Sequence, residues 1–259
     1  VNCIVCIACV PDTASVIKIG PDGKHIDETG IKWIVSPYDE YALEEALKIT
    51  EAKGGEVTLV TFGPDRADGA LRDCLARGAH NAVHVRGGEA SLGDSFMIAS
   101  VLAAAIKGRP FDLILVGVKG VGTDNGQVGQ MLAELLGVPH VANVTALELS
   151  DGALTAGRDV EGGREKVACS MPALLTCQKG LNEPRYAALK GIMAAKKKPV
   201  DKLEAASLGI REGSSPFYSV RSLELPPAKS AGTLIKGEDD PAGAAAQVVK
   251  LLRDEAKVI

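Results

Sequence analysis

Two hydrophobic rhythms alternate along the first part of this chain. Short apolar runs at Cys3 to Val10, Glu56 to Phe62, Ala82 to Val85 and Leu113 to Val116 read as strands buried on both faces of a parallel sheet. Between them, apolar residues recur at helical spacing, from Ser36 to about Lys53, about Arg66 to Arg77, and Ser95 to Lys107. Boundary chemistry agrees with these limits. Ser36-Pro37, with Asp39 and Glu40 in the first turn, opens the first helix and Gly54-Gly55 closes it. Gly78 stops the second helix, and Asp94 or Ser95 caps the third. Strands alternating with helices predict a doubly wound parallel α/β sheet, whose ligands bind beyond the carboxyl ends of the strands. The loops after Val10, Phe62 and Val116 are expected to converge on one cleft.

Two stretches depart from that rhythm. Val16 to Ile19, the turn Pro21-Asp22-Gly23 and Ile26 to Val35 predict a β-hairpin on the rim. After Pro139, the segments Ala142 to Leu149, Ala153 to Val160 and Arg164 to Ser170 are joined by Ser150-Asp151-Gly152 and Glu161-Gly162-Gly163, which predicts a small antiparallel extension. Pro172 to Gln178 reads as one more core strand. From Leu208 to Gly237 the chain is rich in proline, glycine and serine, and reads as an extended C-terminal arm over another surface. A last helix starts at Asp240-Pro241 and carries Val248, Val249, Leu251 and Leu252 on a stripe that needs something to pack against. The expected division is an α/β domain over 1–195, with an arm and helix over 196–259.

The candidate chemistry sits in one stretch. Asp112 leads into Leu113-Ile114-Leu115-Val116, then a glycine-rich turn from Gly117 to Gly129, then a helix with Met131, Leu132, Leu135 and Leu136 on one side. A strand, a glycine loop and a helix N-terminus together favour an anion, through free backbone N–H groups and the helix dipole. Gly120, Gly122, Gly126 and Gly129 would let backbone approach a ligand, and one of Thr123, Asp124 or Asn125 is expected to be the N-cap. The loop matches neither GxGxxG nor a P-loop, so a nucleotide mono- or diphosphate fits better than hydrolysable ATP.

Composition narrows the class. A net charge of −4, with aromatics at only 3%, provides no basic stripe with interleaved rings and argues against nucleic acid. No run reaches the roughly 18 apolar residues of a membrane helix, so no membrane insertion is expected. Val1 to Val10 has no basic lead and runs into Pro11-Asp12, so it reads as a first strand rather than a signal peptide. Cys3, Cys6 and Cys9 imitate half of a ferredoxin motif, but residues three apart on a strand face opposite ways. They are expected to be core residues, with Cys74, Cys169 and Cys177 scattered as in a reducing, cytoplasmic compartment. His25, His80, His84 and His140 have no ligand spacing, so no metal is expected. No catalytic constellation can be argued from spacing either.

Leu181 to Pro199, LNEPRYAALKGIMAAKKKP, closely resembles the signature of the small (β) subunit of electron transfer flavoprotein. The likeness extends to CIACVPD at the start, SPYDEYALEEALKI at 36–49, GPDRADGALRDCLARGA at 63–79, the TDNGQVGQ loop and DVEGG at 159–163. It implies a Rossmann-like, adenine-nucleotide-binding fold. It also implies an electron-carrier subunit, paired with a larger (alpha) subunit that holds the redox-active FAD, and burying a structural AMP of its own. By the resemblance, phosphate would meet Asp124, Asn125, Gly126, Gln127 and Val128, and adenosine would lie near Ala8, Phe62 and Gly63. Family members often carry lysine at the place of Ala8.

The resemblance implies further that Thr13 and Asp159 approach the partner's FAD. In segment 181–195, Leu189 would be an anchor for flavin dehydrogenases, with Tyr186 and Ile192 beside it. On residue pattern alone, the alternative is that Leu189 faces the core of an amphipathic helix, and Lys196-Lys197-Lys198 reads as a solvated face. Electrons would pass from dehydrogenases of fatty acid oxidation, such as acyl-CoA dehydrogenases, towards a quinone oxidoreductase. The alternative is a bifurcating member that oxidises NADH and holds a second FAD in place of AMP. Such members typically show a GDTAQVG-type loop, where this chain has GTDNGQVG. A stand-alone sensor of AMP or ATP would need neither the Leu189 segment nor the arm.

Overall fold

The computed structural model of the protein describes residues 1–87, 94–210, 219–228 and 232–259. They divide into two compact units, Val1–Arg221 and Ser222–Ile259.

The first unit is built on a nine-stranded sheet in the order β11-β5-β4-β1-β6-β10-β7-β8-β9. Its centre is β1 (Cys3–Cys6), flanked by β4 (Val57–Gly63) and β6 (Leu113–Gly117), with β5 (Asn81–Arg86) and β10 (Ala173–Cys177) outside them. Every pairing from β11 (Val200–Glu204) across to β7 (His140–Ser150) is parallel. From β1 the chain builds outward through β4 to β5, then returns to lay β6 on the other side of β1. Strand order therefore reverses between β1 and β6, the place where open α/β sheets part at their carboxyl ends.

The helices follow that reversal. α1 (Pro37–Lys53) and α2 (Ala67–Arg77) cover one face, packing Leu43, Leu47, Leu71 and Leu75 on Cys3, Val5, Leu113 and Leu115. α3 (Ser95–Ile106) and α4 (Val128–Leu136) cover the other, packing Leu102, Ile106 and Leu132 on Ile4, Cys6, Ile114 and Val116. Alternate residues of one strand thus feed both layers, which is why the central strands read as unbroken apolar runs. Cys3 and Cys6 fall in opposite layers, as strand periodicity requires. Burial pushes the Cys3 thiol up to about 12 and raises Cys6 further, so both stay protonated.

Several expectations change in detail. The first strand does not run to Val10. It stops at Cys6, and Cys9–Pro11 (β2) turns aside to pair antiparallel with Trp33–Val35 (β3). The rim hairpin shrinks accordingly to a single bridge between Ile19 and Ile26. Arg66 stacks 3.9 Å over the Trp33 ring and so holds β3 to the start of α2. The antiparallel extension forms as read, with β8 (Ala153–Val160) between β7 and β9 (Gly163–Ser170).

Residues 200–204, assigned from sequence to the arm, are edge strand β11, paired in register with Ala82 to Arg86 of β5. The first unit consequently extends past residue 195. Of the proline-, glycine- and serine-rich stretch from Leu208 to Gly237, residues 211–218 and 229–231 lie outside the described residues. In the second unit, α6 (Pro241–Lys250) starts where Asp240 accepts from the Gly243 N–H at 2.9 Å, and Val248, Val249 and Leu252 are exposed.

α4 lies very close to the sheet. A Cβ at Gly129 would fall 2.6 Å from Thr176 Cγ2 and 2.9 Å from Val116 Cγ2. Gly129 therefore serves helix–strand packing, not ligand approach. Gly129→Ala is expected to cost about 1–3 kcal/mol of stability, as overpacking of a filled core does. Urea unfolding checks this, and a wild-type midpoint would contradict the close approach.

Candidate functional site

The carboxyl ends of β1 and β6 are joined through one side chain. Asp39, in the first turn of α1, lies 6% exposed with its carboxylate between the two strand ends. Oδ2 accepts from the Ala8 N–H at 2.7 Å and Oδ1 from the Gly117 N–H at 2.9 Å. Ile7 is the last residue of this segment whose N–H goes to the sheet, at 2.9 Å from the Val60 carbonyl. The next N–H goes to Asp39, so the strand ends there. A Cβ at Gly117 would lie 2.4 Å from Asp39 Oδ1, so the close approach requires glycine. In the sequence Asp39 stands out only as an acid in a helix first turn.

Burial opposes these two bonds and wins, pushing the Asp39 carboxyl up to about 7. The α1 N-terminus and the N–H donors favour the ionised form but do not replace water fully.

Next to this clamp runs the loop from Gly117 to Gln127. Its base is tied down where Val118 N–H donates to the Cys177 carbonyl at 3.0 Å. It turns where Asp124 N–H donates to the Gly120 carbonyl at 3.0 Å, with Asp124 at φ 53° and Gly126 at φ 59°. Lys119 pairs with Asp124 at 3.1 Å, and its ammonium sits 5.8 Å from the Tyr38 ring centre. Asn125 Nδ2 donates to Ser95 Oγ at 3.2 Å, which links the loop to the N-terminus of α3.

The N-cap of α4 is Gln127, with no side-chain cap bond, in place of Thr123, Asp124 or Asn125. The loop bends before those side chains can reach back to the first helical N–H groups. They are left instead at the surface, with Asp124, Asn125 and Gln127 exposed, Gly126 and Val128 half-buried, and the helix start uncapped. Such a start offers N–H donors and a positive dipole end. The Lys119 ammonium offsets the Asp124 charge there.

The third loop behaves similarly. Gly63 ends β4, and its carbonyl accepts from His84 Nε2 at 3.0 Å, while Asp68 holds Nδ1 at 2.6 Å. Phe62 is half-buried and Ala8 exposed. The parallel sheet places Ala8, Phe62, Gly63 and the 124–128 loop at its carboxyl edge. Asp159, on β8, is exposed and paired with Arg164 at 2.9 Å, and Thr13 is exposed in the loop after β2. Among the described residues, no group of histidines, cysteines and acids could hold a metal ion. No described helix is long and apolar enough to cross a membrane.

A second feature lies on the α1–α2 face. Tyr186, Leu189, Ile192 and Met193 are 93%, 76%, 45% and 66% exposed, so the reading that turns Leu189 to the core does not hold. Beneath them the segment is held by polar bonds. Arg185 Nε and Nη2 donate to Glu44 at 2.8 and 2.9 Å, and Nη2 also to Glu51 at 3.0 Å. Asn182 Nδ2 donates to the Tyr41 carbonyl at 3.0 Å and to Glu45 at 2.9 Å. α5 (Leu189–Ala195) sits so close to α2 that a Cβ at Gly191 would meet the Ala76 carbonyl oxygen. Lys198 is not part of a solvated face. Its ammonium donates to the Leu75 and Ala79 carbonyls at the end of α2, at 3.0 and 2.5 Å, and burial lowers its pKa.

The chain is similar in sequence to known proteins. Residues 24–208 match the electron transfer flavoprotein domain family. The chain is 44% identical to the electron transfer flavoprotein subunit beta of Bacillus subtilis, over 93% of this chain and 94% of that one. It is 39% identical to the subunit beta of Syntrophomonas wolfei, over 98% and 97%. It is also 36% identical to the caffeyl-CoA reductase-Etf complex subunit CarD of Acetobacterium woodii, over 90% and 91%.

Two outcomes follow from these contacts. Asp39 binds its proton more tightly folded than unfolded, so its contribution to stability is full below about pH 4 and is lost as pH rises through about 7. The stability difference between wild type and Asp39→Asn should therefore shift by on the order of 2–4 kcal/mol across that window, in favour of the variant at the alkaline end. Urea unfolding at several pH values measures it, and a constant difference would contradict the raised pKa. Arg185→Ala strands the Glu44 carboxylate and should destabilise the protein by about 2–3 kcal/mol. A variant that melts like wild type would show the ion pair to be dispensable.

Proposed function

The chain belongs to the electron transfer flavoprotein family, and on that premise we propose that it is an AMP-holding small subunit of an electron-carrying heterodimer. The larger (alpha) subunit supplies the FAD, which takes and gives up the electrons when bound. This chain holds the nucleotide, orients the carrier and presents it to flavin dehydrogenases, such as acyl-CoA dehydrogenases of fatty acid oxidation. Electrons leave towards a quinone oxidoreductase.

The observation that carries the reading is the loop at the switch point, with its uncapped helix start and exposed Asp124, Asn125 and Gln127. In this reading those residues, with the backbone of Gly126 and Val128, take the phosphate, while Ala8, Phe62 and Gly63 border the adenosine. One phosphate suits the uncapped start of α4. Thr13 and Asp159 face the partner's FAD.

The exposed Leu189, with Tyr186 and Ile192, is the dehydrogenase anchor. An apolar knob on a rigid, polar-bonded base suits a transient interface, because little side-chain or backbone order has to be created on docking. The relative named as part of a caffeyl-CoA reductase complex favours a second reading. In it this subunit holds a second FAD in place of AMP and the heterodimer oxidises NADH.

Two variants test the proposal in the co-expressed heterodimer. Asn125→Ala combined with Gln127→Ala should release AMP about tenfold faster, the loss of a charge-assisted hydrogen bond or two. Unchanged AMP retention would contradict the phosphate assignment. Leu189→Ala should slow flavin reduction by a dehydrogenase about tenfold at limiting concentration, as loss of an interface anchor does, while leaving AMP and FAD content unchanged. Lost nucleotide with unchanged reduction would overturn the anchor.

A further inference from the structure

The nucleotide loop and the end of β1 come from separate segments of the chain, yet both donate to one buried carboxylate. We propose that Asp39 is the positioning residue of the nucleotide site, fixing the gap between Ala8 and Gly117 across which AMP lies, and that it grips fully only when ionised. The proposal rests on the AMP reading above.

The geometry requires two acceptors. Ala8 N–H has left the sheet and Gly117 N–H faces the Asp39 side, at 2.7 and 2.9 Å from different oxygens of the same carboxylate. An ionised carboxylate accepts both bonds equally. A carboxylic acid keeps one good acceptor, and its hydroxyl needs an acceptor of its own. An amide likewise offers only one. Either change leaves one strand end unheld at the place where strand order reverses. The loop inherits that freedom directly, since Gly117 is its first residue.

The surroundings leave Asp39 free to titrate near neutrality. Glu40, its neighbour on α1, disfavours the ionised form. Among the described residues, the Cys6, Cys74 and Cys177 thiols on β1, α2 and β10 also sense it, and burial keeps them protonated. β6 donates to it through the Gly117 N–H and the β1 end through the Ala8 N–H. Two N–H donors thus set its orientation, and burial brings it close to pH 7.

The test is the release rate of AMP from the intact heterodimer at about pH 8 and about pH 6, for wild type and Asp39→Asn. The variant should release AMP roughly tenfold faster at the higher pH. The gap should narrow at the lower pH, where the wild-type clamp is itself protonated. Titration of the AMP phosphate is common to both proteins and cancels in their ratio. A merely structural carboxylate would shift melting without this pH-dependent ratio. Equal release rates at both pH values overturn the proposal.

Should the variant fail to assemble, amide hydrogen exchange of the wild-type heterodimer decides. Protection of Ala8 and Gly117, corrected for intrinsic rates, should fall on acidification while that of Ile7, bonded to a backbone carbonyl, does not. A flat profile for all three overturns it. A wild-type heterodimer without AMP overturns the nucleotide reading itself. AMP bound with matching release rates overturns Asp39 alone.

Discussion

A buried carboxylate shared between two strand ends is the constraint on which the rest of the site depends. Asp39 takes the Ala8 N–H away from the sheet, which ends β1 and frees the chain to pair Cys9–Pro11 with Trp33–Val35. The same carboxylate takes the Gly117 N–H, which starts the glycine loop at the end of β6. One side chain on α1 thereby separates two neighbouring parallel strands at their carboxyl ends. Doubly wound sheets part at this reversal by topology alone. Here the parting has a specific chemical lock, and burying it costs stability at neutral pH.

The segment from Asn182 to Lys198 follows a related logic on the α1–α2 face. Its polar residues look inward, Arg185 to Glu44 and Glu51, Asn182 to Glu45, Lys198 to the end of α2, and its apolar residues look outward. That inverts the usual distribution. An inward polar network fixes position through directional bonds, while the outward apolar surface stays available. Gly191 completes the base by letting α5 lie against the Ala76 carbonyl. The segment is thus held at an angle that the rest of the domain determines, although α5 has only seven residues.

The parallel core was legible because buried strands must be apolar on both faces, and Cys3 to Cys6, Val57 to Phe62 and Leu113 to Val116 are nearly so. Helix limits were legible where Pro37, Asp94 and Gly54 act locally. Features resting on distant contacts were not. Ile7 to Val10 is apolar enough to extend β1, and only Asp39, far along the sequence, diverts it. Val200–Glu204 does not alternate, since Val200 packs into one layer and Leu203 into the other with Asp201 and Lys202 exposed between them, and the preceding lysines and Pro199 make it read as the beginning of the arm. Gly129 reads as a ligand glycine because spacing does not show that Thr176 lies behind it. Exposure of Leu189 depends on Arg185 meeting α1, which residue pattern alone leaves open. The loop's composition marks it as a candidate site, but its cap is not legible, since the bend at Asp124 keeps Thr123, Asp124 and Asn125 from capping the helix.

These features suit the proposed scaffold subunit: a glycine loop at one sheet edge for the nucleotide and an exposed apolar knob on another face. The central claim is that the nucleotide held by this chain is AMP, with the redox flavin in its partner. Denaturing the purified heterodimer and counting released nucleotides tests it most directly. The account predicts one AMP and one FAD per heterodimer, whereas two FAD and no AMP would contradict it and point to the NADH-oxidising, bifurcating alternative.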